Sequence, residues 1–264
     1  MNITRLIVAS ILIPLLYLYI TCLPVEFIFV LVFVISSLAL YEFYIMYKIP
    51  LTFSLVGIAM GGVMFTVSYC YPDRLPDTIF LCLFIIMGIR LFSIKTPEGS
   101  MKIISNLVHG LFYVSGFAIF LLLILRDFPD YGRYYIIIIL FSVWTSDAMA
   151  YYVGKSLGKK KLYPSISPNK TVAGACASVA GGCICATLLN FIYSDIALTT
   201  TTSMIIGIII GSASIVGDLI ESMFKRDAGI KDSSSIIPGH GGFLDKLDSI
   251  LIAGPLVYLF LRYV

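Results

Sequence analysis

Met204-Ile205-Ile206-Gly207-Ile208-Ile209-Ile210-Gly211-Ser212-Ala213-Ser214-Ile215-Val216-Gly217 runs for fourteen residues without a charge, then meets Asp218 and Glu221. It lies inside an apolar segment, residues 197–221, of the length a membrane helix needs: about 20 residues for roughly 30 Å of hydrocarbon. Eight more such segments cover residues 6–23, 27–47, 51–71, 78–95, 103–125, 134–154, 171–193 and 243–262. The runs are continuously apolar, not alternating, which argues for helices and against a closed barrel. The reading is an all-α polytopic membrane protein of about nine transmembrane helices, one domain over residues 1–264. Its weakest spans are the fourth, broken by Arg90, and the ninth, whose uncharged part is only residues 249–261.

Composition agrees. Of 264 residues, 59% are apolar and 12% charged, about half the charge of a soluble domain. A water-soluble enzyme, a disordered protein and a nucleic-acid binder are excluded, so no nucleic acid is expected as a partner. Cys22, Cys70, Cys82, Cys176, Cys183 and Cys185 all lie in apolar stretches without zinc-type spacing, and read as small packing residues. Arg5 precedes an apolar run too long for a signal peptide's core, so the N-terminus reads as an uncleaved first span.

Nine spans put the termini on opposite sides, and the basic residues test the arrangement. Fourteen of the 18 lysines and arginines fall on the N-terminal side, leaving Arg74, Arg126, Arg133 and Arg262 on the other. The positive-inside rule then places the N-terminus in the cytoplasm and the C-terminus outside. Gly57/Gly61, Gly207/Gly211 and the ladder Gly174/Ser178/Gly182 would let helices approach closely. Such ladders serve packing within the chain, the commoner use, or a homodimer face.

Ionisable residues inside the spans are the default functional candidates, because acids are costly there. They are Asp147, Asp218, Glu221, Asp245 and Asp248, with Glu42 a weaker case near a helix end where it could hydrate. His109 reads as a polar side chain held between helices. Asp218, Glu221, Ser222 and Lys225 share one helix face. The loop that follows holds Lys225, Arg226, Lys231, Asp232, three consecutive serines (233–235) and Pro238-Gly239-His240-Gly241-Gly242 before a new helix. Glycines expose backbone N–H groups, a helix start supplies further donors, and the basic side chains neutralise phosphate oxygens. Asp245 and Asp248 stand three apart in the first helical turn beside this cradle, and Mg²⁺ takes a few carboxylates plus phosphate oxygens and water. The sum is a metal-assisted phosphate site at the cytoplasmic interface. A second cluster sets Asp147, Tyr151 and Gly154 on one face before a basic loop, Lys155 to Thr171. Lys159 to Lys161 there need do no more than set topology, whereas Lys170 and Thr171 stand at a helix start and are better ligand candidates.

These residues resemble the phosphatidate cytidylyltransferase (CDP-diglyceride synthetase) family. The signature appears as Ser222, Lys225, Arg226, Lys231, Asp232, Ser234, Pro238, His240, Gly241, Gly242, Asp245, Lys246 and Asp248, over 27 residues. It departs from the family at Lys246, where Arg is usual. In Ser167-Pro168-Asn169-Lys170-Thr171-Val172-Ala173-Gly174 it departs at Ala173, where the family generally has Glu. The resemblance implies transfer of a cytidylyl group from CTP to phosphatidate, giving CDP-diacylglycerol and pyrophosphate. It implies Asp218, Asp245 and Asp248 as ligands of Mg²⁺, and Asp218, Asp245, Lys225, Arg226 and His240 in catalysis. Asp147, Ser167, Lys170, Thr171, Ser222, Lys231, Asp232, Pro238, Gly241 and Gly242 would bind substrate. The expected location is the bacterial cytoplasmic (inner) membrane, with the site on its cytoplasmic side. A lipid or polyprenol kinase of related architecture would use the same groups. A transporter of a phosphate-bearing solute is a third reading, without the matching broken helices that would support it.

Overall fold

The computed structural model describes residues 3–193, 198–231, 233–234 and 241–264, with side chains from Ser10 onward. Ten α-helices are found there: α1 (Ile3–Cys22), α2 (Val25–Met46), α3 (Leu51–Cys70), α4 (Leu75–Ser93), α5 (Ser100–Gly110), α6 (Phe117–Asp127), α7 (Gly132–Leu157), α8 (Val172–Ile192), α9 (Thr200–Asp227) and α10 (Leu244–Tyr263). A π-helical turn, Leu111–Gly116, joins α5 to α6 so that the two form one rod. Each of the nine apolar segments therefore falls on a helical rod. Seven of these rods, α2 to α9 with α5 and α6 counted as one, are long and apolar enough to cross a membrane, and of α1 only Ser10–Cys22 is described with side chains. In α10 the charges Asp245, Lys246, Asp248 and Arg262 interrupt the apolar run.

Helix is the expected outcome for such sequence, since backbone in hydrocarbon must satisfy its own hydrogen bonds. The outer surface is itself apolar. Phe80 and Phe92 are 67% and 82% exposed, which suits lipid and not water. The packed interior centres on Phe43, Tyr44, Leu111, Leu122, Ile124 and Ile139, all fully buried. The chain is an all-α polytopic membrane protein.

Hydrogen bonds sort the helix ends into two groups. At one end Arg133 donates to the carbonyls of Ile20 and Thr21, Arg126 to that of Ser68, and Tyr258 to the Asp127 carboxylate. At the other end the close of α2, the start of α5, the close of α7, the start of α8, the close of α9 and the start of α10 come together. There Tyr44 donates to the Leu107 carbonyl at 2.9 Å, and Arg226 reaches the carbonyl of Ile166 at 3.5 Å.

The glycine ladders are used within the chain. Gly182 and Ser178 of α8 face Gly207 and Gly211 of α9 so closely that a Cβ on any of these glycines would meet backbone of the other helix. Ser178 also donates to the Gly211 carbonyl at 3.1 Å. Gly57 accommodates Tyr44, and Gly61 accommodates Ser115. These stripes are filled by the chain's own helices, so they offer no homodimer face. The basic loop before α8 is more ordered than its composition suggests. It forms an antiparallel hairpin of β1 (Lys161–Tyr163) and β2 (Ser167–Thr171).

Candidate active site

The second group of helix ends carries the chemistry, and small residues create it. Gly217 lets α9 approach α10 until a Cβ there would meet the backbone of Asp248 and Ser249. Ser249 donates to the Ser214 carbonyl at 3.2 Å, and the Ser214 hydroxyl donates to the Asp147 carboxylate. Three helices are stitched together through these two serines. As a result Asp147 of α7, Asp218 of α9 and Asp248 of α10 lie within one another's electrostatic field.

An outer tier faces solution. Lys170 sits 2.6 Å from Asp218, whose side chain is 42% exposed, and Ser222 donates to the other Asp218 oxygen at 3.1 Å. Lys170 is aimed there because Thr171 caps α8, accepting the Gly174 N–H at 3.1 Å. Asp147 is exposed beside this pair.

An inner tier is buried. The Lys225 ammonium lies 3.1 Å from Glu221 and 2.6 Å from Asp245, with Lys225 9% and Glu221 1% exposed. Such a buried pair persists only if its geometry offsets the cost of desolvation. The second Asp245 oxygen accepts from the Ser233 hydroxyl at 2.7 Å, the Ser233 N–H at 3.3 Å and the Gly242 N–H at 2.8 Å. Glu42 accepts from the Ser234 hydroxyl at 2.6 Å, the Ser233 hydroxyl at 3.3 Å and the Leu244 N–H at 2.9 Å.

These contacts show where the sequence candidates stand. Gly241 and Gly242 were expected to turn N–H groups toward a ligand phosphate. Instead the Gly242 and Leu244 donors at the start of α10 are taken by the chain's own carboxylates, Asp245 and Glu42, which satisfy a helix N-terminus as a phosphate would. Gly241 adopts a left-handed φ of 81° and admits the Asp245 carboxylate, which a Cβ would strike. Asp245 faces Lys225 and the loop, and Asp147 shares the field of Asp218 and Asp248. Arg226, expected on phosphate, is exposed and donates to the carbonyls of Ile166 and Ile230, tying the hairpin to the end of α9. Lys231 is exposed and Ser167 half-buried. Asp232, Pro238 and His240 lie outside the described residues.

One residue escaped the sequence reading, Tyr113, and another, Glu42, was read as the weaker case. Glu42 is 1% exposed and fully engaged, not hydrated at an interface. Tyr113, in the π-helical turn, is 5% exposed, and among the described residues its hydroxyl has no hydrogen-bond partner; it lies in the field of Asp248, Glu221 and Asp218. No local pattern marks Tyr113, because its placement depends on the π turn. His109 packs among aromatic rings, stacked on Phe43 at 5.9 Å and edge-on to Phe224 at 5.0 Å.

The donors suit a hard divalent cation. Five carboxylates (Asp147, Asp218, Glu221, Asp245, Asp248) and three ammonium groups (Lys170, Lys225, Lys246) interact here. One Glu221 oxygen is buried without a hydrogen-bond partner. Among the described residues no three such side chains already close on a metal-sized point.

The model of the cytidylyltransferase family matches residues 3–264. The chain is similar to the phosphatidate cytidylyltransferase of Bacillus subtilis, 42% identical over 140 residues that cover 52% of this chain and 51% of that protein. It is also similar to the one from Haemophilus influenzae, 40% identical over 143 residues, covering 52% and 48%. The one from Aquifex aeolicus is 35% identical over 149 residues, covering 56% and 54%. The chain spans about half the length of the curated relatives it matches. A family match that runs through every helix and both carboxylate tiers settles the kinship: this chain belongs to the cytidylyltransferase family.

Proposed function

We propose that this chain transfers a cytidylyl group from CTP to phosphatidate, as the names of its relatives describe. The observation that carries the reading is the Lys170–Asp218 pair at 2.6 Å, beside Asp147 and Asp248 at one end of a membrane bundle. At such a helix end, ammonium and carboxylate groups would meet a lipid phosphate at the membrane surface. A phosphatidate oxygen forms the new bond to the α-phosphorus of CTP as the bond to pyrophosphate breaks. The phosphate nucleophile is already ionised near neutral pH, so no base is required. The chain's work is positioning and charge neutralisation. Lys170 would orient phosphate oxygens against Asp218, while Lys231 and the remaining donors of Arg226 would screen pyrophosphate. The Thr171 cap fixes where α8 begins and Ser222 holds the Asp218 carboxylate, so both keep the outer tier in register.

Asp218, Asp245 and Asp248 are the residues that would hold Mg²⁺, with Asp147 adjoining. When bound, the ion would supply Lewis-acid polarisation of phosphate oxygens. The proposed location is the bacterial cytoplasmic membrane, with the N-terminus and the site on the cytoplasmic side. Its support is the 14-to-4 division of basic residues.

The test is phosphatidate in mixed micelles with CTP labelled at the α- or γ-phosphate, with and without EDTA. α-Label in lipid, abolished by EDTA and restored by Mg²⁺, is the expected result. γ-Label in lipid would replace the transferase with a kinase, and turnover undiminished in EDTA would remove the metal. Asp218→Asn should insert normally yet lose about 10²–10³-fold in kcat, the scale of one electrostatic group.

A further inference from the structure

We infer that Glu42 is a positioning residue of this site, fixing from α2 the loop and helix start that carry Asp245 and Asp248. The inference rests on the cytidylyltransferase reading for its link to turnover, but not for its structural content. Glu42 stands some two hundred residues away in sequence from what it holds. Both carboxylate oxygens accept hydrogen bonds: one from the Ser234 hydroxyl, the other from the Ser233 hydroxyl and the Leu244 N–H. A carboxylate this buried is retained only if donors replace its water. Here the replacements are the Ser234 hydroxyl, a Ser233 hydroxyl shared with Asp245, and the first N–H of α10, where the helix dipole favours an anion. Gly242 makes the approach feasible, since a Cβ there would meet both Glu42 and Ser233.

The platform beneath Glu42 is stiff. The next two residues, Phe43 and Tyr44, are fully buried, and Tyr44 donates to the Leu107 carbonyl. Ser233 shares its hydroxyl between Glu42 and Asp245, and Asp245 binds Lys225. A relay of short contacts thus runs from α2 through the loop to the inner tier. Glu42 touches no exposed face of the site, so it acts through Ser233, Ser234 and α10 and not on substrate.

The full chain in nanodiscs separates this from other roles, using Glu42→Ala and Glu42→Gln. Gln keeps the shape, and its amide can serve the same partners because serine hydroxyls accept as well as donate. Glu42→Ala should lower kcat/KM for CTP by about a hundred-fold, the scale of a misplacement near 1 Å. Glu42→Gln should return to within about five-fold of the unaltered protein, since its hydrogen bonds remain. Hydrogen exchange supplies a readout besides activity. The Leu244 amide should exchange faster in Glu42→Ala, the Leu251 amide deeper in α10 should not, and Glu42→Gln should protect both. If Leu251 also accelerates in Glu42→Ala, Glu42→Gln alone decides. A Glu42→Gln protein that keeps Leu244 protected yet loses activity as severely as Ala would overturn the inference, since charge and not position would then matter. Unchanged exchange and activity in Glu42→Ala would overturn it too. If the unaltered protein transfers no cytidylyl group, the transferase reading fails, while the Leu244 exchange still reports whether Glu42 holds the helix start.

Discussion

Ala173 stands in the first turn of α8, three residues after Lys170, and that turn carries no acid. A carboxylate there would interact with the helix dipole and reach toward Lys170, which pairs with Asp218 at 2.6 Å. Ala173→Glu should therefore raise turnover with CTP and phosphatidate by sharpening the placement of Lys170. If the acid only improves the helix start, the gain will instead be about 0.3–1 kcal/mol in thermal stability. No change in either quantity would show the position to be dispensable. Lys225 gives a second prediction at this scale. Lys225→Met leaves Glu221 and Asp245 unpaired in a buried setting, which should cost about 3–5 kcal/mol in unfolding measured in detergent. Adding Glu221→Gln should recover part of that loss, and a destabilisation equal in the single and double variants would refute the pairing. The acids and bases between Ser222 and Asp248 were legible because their spacing along one helix face and one loop is local. What those groups bond was not. Leu244 donates to Glu42, which arrives on a distant helix, and Gly242 donates to Asp245 three residues on.

The π-helical turn Leu111–Gly116 shows what an element does beyond its sequence pattern. The segment 103–125 reads as one uniform span, yet the turn widens the helix there and sets Tyr113 against Phe224 at 5.1 Å. Its hydroxyl ends buried, unpartnered and facing the carboxylates, and π turns often mark functional sites. An orphaned hydroxyl is a liability unless a ligand uses it. Tyr113→Phe should leave thermal stability unchanged or raise it by about 1 kcal/mol, while kcat/KM for CTP falls by about ten-fold if a substrate oxygen accepts from the phenol. Loss of stability together with unchanged turnover would mean that the hydroxyl has a structural partner instead. Helix existence was legible throughout because continuous apolar runs admit little else in a bilayer. The π turn and the hairpin before α8 were not. A π turn depends on packing, and residues 161–171 are too polar and short for a periodic signal.

At the scale of the whole molecule, two independent features divide the helix ends alike. Hydrogen bonds gather Ile20, Thr21, Ser68, Asp127, Arg133 and Tyr258 at one end. They gather Glu42, Leu107, Ile166, Lys170, Arg226 and Leu244 at the other. The basic residues divide along the same line: Arg126 and Arg133 belong to the first group, Lys170, Lys225 and Arg226 to the second. Neither feature was needed to derive the other, since one comes from packing and the other from counting lysines and arginines. The positive-inside rule assigns the second end to the cytoplasm, the side on which the proposed substrate CTP would be found. Single cysteines introduced at residues 127–133 and 228–231, with the six natural cysteines replaced, test the assignment directly. A membrane-impermeant maleimide added to intact cells should label the first set and leave the second unmodified until the membrane is opened. The reverse pattern would invert the protein and place the carboxylate tiers away from their nucleotide. Equal labelling of both sets in intact cells would mean that an odd number of membrane crossings does not separate these connections, and the nine-span arrangement would fall with it.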